Sequence, residues 1–282
     1  TVMAGMSWVL SAQVNGLATL WLVYGCMGGL GTGIVYIGVV GLMVKWFPQQ
    51  RGFAAGAVAA GYGMGAIITT FPISLSLTTN GLEHTMTTFG ILFALVGFLA
   101  SQGLKLPPPA VSQPVSQTVA QSSRSFTSRE MLRQPLFWLM FVMMAMMSTS
   151  GLMVTSQMAV FAEDFGISQA VVFGMAALPL ALTIDRFTNG LTRPLFGFIS
   201  DRFGREQTMF IAFALEGVAM MLWLACREDP LLFVLLSGVV FFGWGEIFSL
   251  FPSTLTDTFG SEHAASNYGW LYISQGIGSI FG

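Results

Sequence analysis

The chain has 282 residues, 54% of them hydrophobic and only 9% charged, where soluble domains carry about 25% charged residues. A soluble fold cannot hide that much apolar surface, because about half of any folded surface must face water. Disorder is excluded as well, since it needs low hydrophobicity and high net charge. A net charge of −2 offers no basic face to nucleic acid, so the composition is that of a multi-span membrane protein.

A helix that crosses a bilayer needs about 20 apolar residues. In chain order the candidates are 1–14, 18–46, 52–79, 84–105, 135–162, 168–199, 207–226, 230–254 and 263–282. The first is short. The chain opens at Thr1 without a basic n-region and stops at Gly282, in both cases within an apolar run, so an internal piece of a longer protein is expected. Connections are short except for 106–134, which is rich in Pro, Ser and Gln and reads as a disordered linker. Cys26 and Cys226 fit no metal or redox spacing.

The basic residues orient the spans. Lys45, Arg51, Lys105, Arg124, Arg129, Arg133, Arg202 and Arg205 all fall on one side if spans alternate, and only Arg227 falls on the other. The positive-inside rule then makes the 106–134 linker cytoplasmic. A weak repeat runs at an offset of 212, pairing Gly31, Gly33, Tyr36 and Phe47 with Gly243, Gly245, Phe248 and Phe259; after a one-residue slip, Gly63 and Gly65 pair with Gly276 and Gly278. The matched helices run in the same direction, which implies two parallel halves of six helices, a transporter construction.

Asp185, Arg186, Arg193, Glu216 and Glu246 lie within spans. Each costs about 2.5–3.5 kcal/mol near a helix centre, so each needs a partner, an aqueous cavity or a function. Arg186 and Arg193 share one helix face with Asn189, Gly190 and Gly197, and such a stripe faces a cavity or another helix. A guanidinium fork matches carboxylates bidentately. Arg193 therefore reads as an anion site, or as half of a structural ion pair with Glu246 or Asp185. Arg186 could equally pair with Glu246 or contact substrate, and Glu246 and Asp185 are also candidates to carry a proton. Glycines at four-residue spacing (25, 29, 33; 52, 56; 61, 65) read as close helix packing. No metal motif, cofactor fingerprint or nucleophile–base spacing is present in the sequence, so neither metal, cofactor nor enzymatic activity is expected.

Gly197, Asp201, Arg202, Gly204 and Arg205 stand in a loop between two spans and resemble the G-x-x-x-D-R-x-G-R gating loop of the major facilitator superfamily. Gly33-Ile34-Val35-Tyr36, Trp46-Phe47-Pro48, Arg51-Gly52 and Ala60-Gly61-Tyr62-Gly63 resemble helices four and five of its oxalate:formate antiporter family. Trp244-Gly245, Phe251-Pro252-Ser253-Thr254, Phe259-Gly260 and Asn267-Tyr268-Gly269 resemble that family too. The resemblance implies an all-α major facilitator fold with about nine of twelve helices present. Residues 1–105 would supply helices 3–6 of the N-terminal half and 135–282 helices 7–11 of the C-terminal half.

It further implies that Glu216, on the peripheral ninth helix, makes a structural hydrogen bond, and that the substrate site lies at the midplane. The family's helix-eight arginine falls on Arg193 and its aromatics on Tyr36, Tyr62, Trp244 and Tyr272. Phe248 stands where the family has a tyrosine, and Gln275 where it has a lysine. The implied function is exchange of small carboxylates such as oxalate and formate by alternating access, in the cytoplasmic membrane. Expected partners are carboxylate anions and the lipid bilayer, with the protein monomeric. The rival readings are a proton-coupled monocarboxylate symporter of the same fold and a non-transporting membrane sensor.

Overall fold

The computed structural model describes residues 1–108 and 119–281, the Ala66 side chain excepted. Helix α1 (Val2–Ser11) is followed by α2 (Leu17–Leu20), a π-helical segment Trp21–Gly28 and α3 (Gly29–Trp46). Then come α4 (Arg51–Ser101), the short α5 (Ser128–Met131) and α6 (Pro135–Asp164). A small hairpin, β1 (Val171–Val172) and β2 (Met175–Ala176), leads into α7 (Ala177–Phe203). The chain continues through α8 (Arg205–Ala225), α9 (Pro230–Trp244), α10 (Ile247–Phe259) and α11 (Ala264–Phe281). Among the described residues, five helical runs are long and apolar enough to cross a membrane: Leu17–Trp46, Arg51–Ser101, Pro135–Asp164, Arg205–Ala225 and Pro230–Phe259.

Helix boundaries follow local chemistry. Pro135 and Pro230 open α6 and α9, where a missing N–H costs nothing. Asp229 caps α9 by accepting from the amides of Leu231 and Leu232 at 2.9 and 3.0 Å. Helix α7 stops at Gly204 (φ 99°) and α10 at Gly260 (φ 86°), positions where a left-handed backbone favours glycine.

The structure departs from the sequence expectation in four places. The spans expected at 52–79 and 84–105 form one run, α4, bent at Gly81 (φ 80°, ψ 176°) without an intervening loop. The span expected from 168 starts only at Ala177. Ahead of it, Phe173 and Gly174 both take positive φ and turn the β1–β2 hairpin, paired Val171 to Ala176 and Val172 to Met175. The span expected over 230–254 breaks between α9 and α10 at Gly245-Glu246 and runs on to Phe259.

The fourth departure is the linker. Its residues 109–118 lie outside the described residues, but 119–134 is not disordered. Ser122 and Phe126 amides donate to the Asp257 and Phe259 carbonyls at 2.7 and 2.8 Å. Those carbonyls close α10 and have no partner within the helix. Gln121 Nε2 donates to the Pro48 carbonyl (2.8 Å), and Asn267 Nδ2 to that of Phe126 (3.0 Å). Thr127 and Glu130 then form a reciprocal capping box that starts α5.

The described residues form two compact units, Thr1–Val39 with Gly65–Val111, and Val40–Met64 with Ser112–Gly282. These boundaries differ from the 1–105 and 135–282 halves, because residues 40–64 pack with the C-terminal helices. Lys45 Nζ donates to the Glu262 carbonyl at 2.8 Å, and a Cβ on Gly41 would strike Ala265. In the first unit, α1 packs on the second limb of α4, with Gly5 against Gly90 and Ala94 and Trp8 edge-on to Phe93 at 5.3 Å. The second unit holds the candidate site residues other than Tyr36. Of the spaced glycines, 52 and 56 do pack closely, whereas 25, 29, 33, 61 and 65 meet nothing within 4 Å among the described residues.

Candidate functional site

Helix α7 carries the site because its sequence places polar residues on one stripe: Asp185, Asn189, Arg193 and Asp201 are all buried. Arg193 is 7% exposed. Its Nε and one terminal nitrogen donate to Asn189 Oδ1 at 3.2 and 2.6 Å, and the other terminal nitrogen donates to the Ala59 carbonyl at 2.6 Å. The guanidinium carbon sits 4.4 Å over the Phe248 ring, so a cation–π contact fixes the plane of the fork. A Cβ on Gly63 would come within 3.2 Å of the same group. Glycine there keeps one side of the guanidinium open.

That side opens into a cavity of about 420 Å³, bounded on α7 by Asp185, Arg186, Asn189 and Arg193 and across from it by Thr155 and Trp244. Its size suits a small organic ion, and pockets for small molecules are mostly apolar with a few placed polar groups. Arg186 is exposed. Asp185, beside it in sequence, is 4% exposed with Ser237 of α9 as its polar neighbour.

The aromatic residues assemble in part. Trp244 donates to the Met147 carbonyl (2.8 Å) and stands edge-on to Phe248 at 5.6 Å; Phe248 in turn meets Tyr272 at 6.5 Å. Gln275 accepts from the fully buried Ser148 at 3.0 Å, which ties α11 to α6. Tyr62 is 59% exposed and is not among the residues bounding the cavity. Tyr36 is buried and belongs to the first unit. Ala59, Gly63, Thr155 and Ser148 were not singled out from the sequence as site residues; a backbone carbonyl and small side chains leave no compositional signal.

Glu246 is fully buried at the α9–α10 break and is not among the residues bounding this cavity. Among the described residues it forms no ion pair with Arg186 or Arg193; the charged side chain near it is Glu216 of α8. Glu216 accepts a short hydrogen bond from Ser150 of α6. The structural hydrogen bond expected for Glu216 is present, whereas the pairing of Glu246 with an arginine is not.

The residues of the loop signature build a charge network, but Gly197, Asp201 and Arg202 stand in the last turns of α7 and Arg205 opens α8, so the loop expected there shrinks to Gly204. Asp201 accepts from the first amides of α4, Gly52 and Phe53, both at 2.9 Å, and so neutralises a helix N-terminus. Arg205 binds Asp201 at 2.7 Å and Asp257 at 2.8 Å, while Arg51 binds the other oxygen of Asp257 at 2.7 Å. Gly197 and Gly52 permit this approach: a Cβ on either would strike the other's backbone. Gly204 supplies the turn, and Arg202 stacks over Phe198 at 4.3 Å, outside the network. Arg51 and Asp257 complete what the loop signature begins. The sequence signal available for Asp257 was an acid at the end of an apolar run, which by itself is common.

A multi-span helical membrane protein with a buried guanidinium beside a cavity, and a charge network closing the loops below, is the class that these features define. The family model of the Major Facilitator Superfamily matches residues 1–282, and the chain belongs to that superfamily. It is 31% identical over its whole length to the oxalate:formate antiporter of Oxalobacter formigenes, covering 65% of that protein. It is 30% identical over 99% of its length to an uncharacterized MFS-type transporter, YhjX, of Escherichia coli (strain K12), covering 67% of it. A 38 kDa uncharacterized protein of Thermoproteus tenax is 25% identical. The chain thus spans about two thirds of the length of these curated relatives.

Proposed function

We propose that the protein of which this chain forms at least a part is a secondary transporter that exchanges small carboxylates by alternating access. The observation that carries this reading is Arg193, a buried guanidinium aimed into a cavity of about 420 Å³ that also holds Arg186. A guanidinium fork matches a carboxylate bidentately, and an entering carboxylate lowers the cost of holding that charge within the membrane in each half of the cycle. Similarity to the oxalate:formate antiporter supports the substrate class; Phe241 and Trp244 line the cavity, and Phe248, in contact with the Arg193 guanidinium, joins Trp244 to Tyr272. By the distribution of basic residues, the charge network and residues 119–134 face the cytoplasm, in the cell membrane. Counterflow in liposomes tests the reading: preloaded formate or oxalate should drive uptake of labelled formate by the full-length protein. Uptake that is independent of internal anion refutes exchange.

Proton-coupled monocarboxylate symport is the second reading, favoured by Asp185, a buried carboxylate that bounds the same cavity. It requires uptake driven by a proton gradient with no internal anion present.

A further inference from the structure

A guanidinium can take a carboxylate along either of two edges, Nε with Nη2 or Nη1 with Nη2. On Arg193 the first edge is occupied: Nε and Nη2 both donate to Asn189 Oδ1, at 3.2 and 2.6 Å. A bidentate anion must then use the Nη1–Nη2 edge, where Nη1 donates to the Ala59 carbonyl at 2.6 Å, or displace Asn189. Asn189 is 9% exposed and borders the cavity. It stands four residues before Arg193 on α7, so its contact with the fork lies within one helix. Ala59 and Phe248, which also hold the guanidinium, belong to α4 and α10. A cycle that moves helices past one another changes those two contacts, whereas Asn189 travels with the arginine. Its turn of α7 is closely seated. A Cβ on Gly245 would come within 2.6 Å of the Asn189 carbonyl, and Thr192 Oγ1 donates to the Phe242 carbonyl of α9 at 2.6 Å.

We propose that Asn189 is the positioning residue of the carboxylate site: it holds the Arg193 fork to one approach edge throughout the cycle, and as an amide it does so without placing a negative charge beside the guanidinium. This inference rests on the carboxylate-exchange reading above. The choice of amide over carboxylate is what separates positioning from mere support. A residue needed only to satisfy a buried arginine serves better as aspartate, whose oxygen makes a stronger, charge-assisted hydrogen bond to a guanidinium. A residue that must keep the arginine attractive to an anion cannot be aspartate, because its carboxylate would repel the substrate's across the same guanidinium.

The test uses the full-length protein, with formate counterflow in liposomes at fixed pH and ionic strength and thermal unfolding of the same variants in detergent. Asn189→Asp keeps the shape and adds the charge. Its KM for formate should rise about a hundredfold or more, as expected for a unit negative charge a few ångströms from the bound anion at an effective dielectric near 20, while its midpoint of unfolding is kept or raised. A wild-type KM in this variant overturns the assignment, as does a KM that rises only in step with a falling midpoint, the mark of a structural role. Asn189→Ala removes the acceptor without adding charge and keeps the test decisive if Asn189→Asp does not fold. Its KM should rise about tenfold, as for the loss of a hydrogen bond to a charged group, with kcat changing less; an unchanged KM overturns the assignment too. If the wild type exchanges no carboxylate, the underlying reading fails and the inference with it; if exchange persists and these KM values stay at the wild-type level, only the inference falls.

Discussion

The charge network gives the sharpest quantitative test. Asp257 is 3% exposed and receives two guanidiniums, Arg51 at 2.7 Å and Arg205 at 2.8 Å, each also buried. Replacing it by Asn removes the negative charge from both. Arg205 keeps Asp201, but Arg51 then has no carboxylate partner among the described residues. Breaking a buried pair by removing one partner typically costs about 3–5 kcal/mol, against at most about 1 kcal/mol for an exposed pair. Because Asn retains one accepting oxygen, the lower end applies, about 3 kcal/mol. That is a shift of more than a hundredfold in any equilibrium the network holds, at 1.4 kcal/mol per factor of ten. Equilibrium unfolding of the full-length protein in mixed micelles measures it. A cycle with Arg51→Gln should show a coupling of about 1–3 kcal/mol, as for residues in one network. Arg124, in an exposed pair with Glu130, is the control, and Arg124→Gln should have a far smaller effect. A loss below about 1 kcal/mol for Asp257→Asn, or strict additivity with Arg51→Gln, would refute the reasoning.

Three further outcomes are expected. Arg193→Gln should abolish carboxylate exchange by full-length protein that still inserts, and Arg193→Lys should restore only part, because lysine keeps the charge but lacks the fork; wild-type rates in the Gln variant would assign Arg193 a structural role. Gly260→Ala should release residues 119–127, since alanine disfavours φ 86° by about 1–2 kcal/mol and its Cβ would come within 2.6 Å of Ser125; unchanged proteolysis of that segment would count against it. The Thr127 amide, then the Thr127 hydroxyl and Arg124, hold the Glu130 carboxyl below its usual range. The capping box is therefore fully stabilising above the ordinary glutamate pKa and weakens as pH falls through the lower folded value. Hydrogen exchange at the Thr127 amide should accelerate only in that acidic window, and acceleration near neutrality would refute the assignment.

The membrane class and most spans were legible because apolar runs of bilayer length are rare for any other reason. Arg193 was legible for the converse reason: an arginine deep in such a run demands an explanation. What the sequence concealed were partners that lack a distinctive side chain. The Ala59 carbonyl that holds Arg193 is a backbone atom, and Ser148, which occupies Gln275, is an ordinary serine in a Met-rich helix. The Pro- and Ser-rich linker misled because composition reports intrinsic disorder, not the availability of docking carbonyls at a neighbouring helix end. Glu246 misled differently. Charge complementarity suggested an arginine partner, but the chain breaks between α9 and α10 at that residue and turns its side chain toward α8.

The cavity and the charge network share one mechanical element, residues 51–64 of α4. Gly52 and Phe53 donate to Asp201 in the network, Gly56 lies against the Arg193 backbone, Ala59 accepts from the Arg193 fork, and Gly63 faces the guanidinium. These contacts cover about 16 Å of helix at 1.5 Å per residue. In the proposed cycle, an anion that takes up the Arg193 fork competes with the Ala59 carbonyl and removes one of the bonds holding α4 to α7. The crossing keeps its two amide bonds to Asp201 but loses this one, so occupancy of the cavity favours opening at the network. Spin labels at Phe53 and Phe203, both exposed, report that separation in the full-length protein. Formate should lengthen the distance, and Arg193→Lys, which cannot make the same fork, should blunt the response. A distance that is the same with and without formate would show that the two levels are not coupled through this crossing.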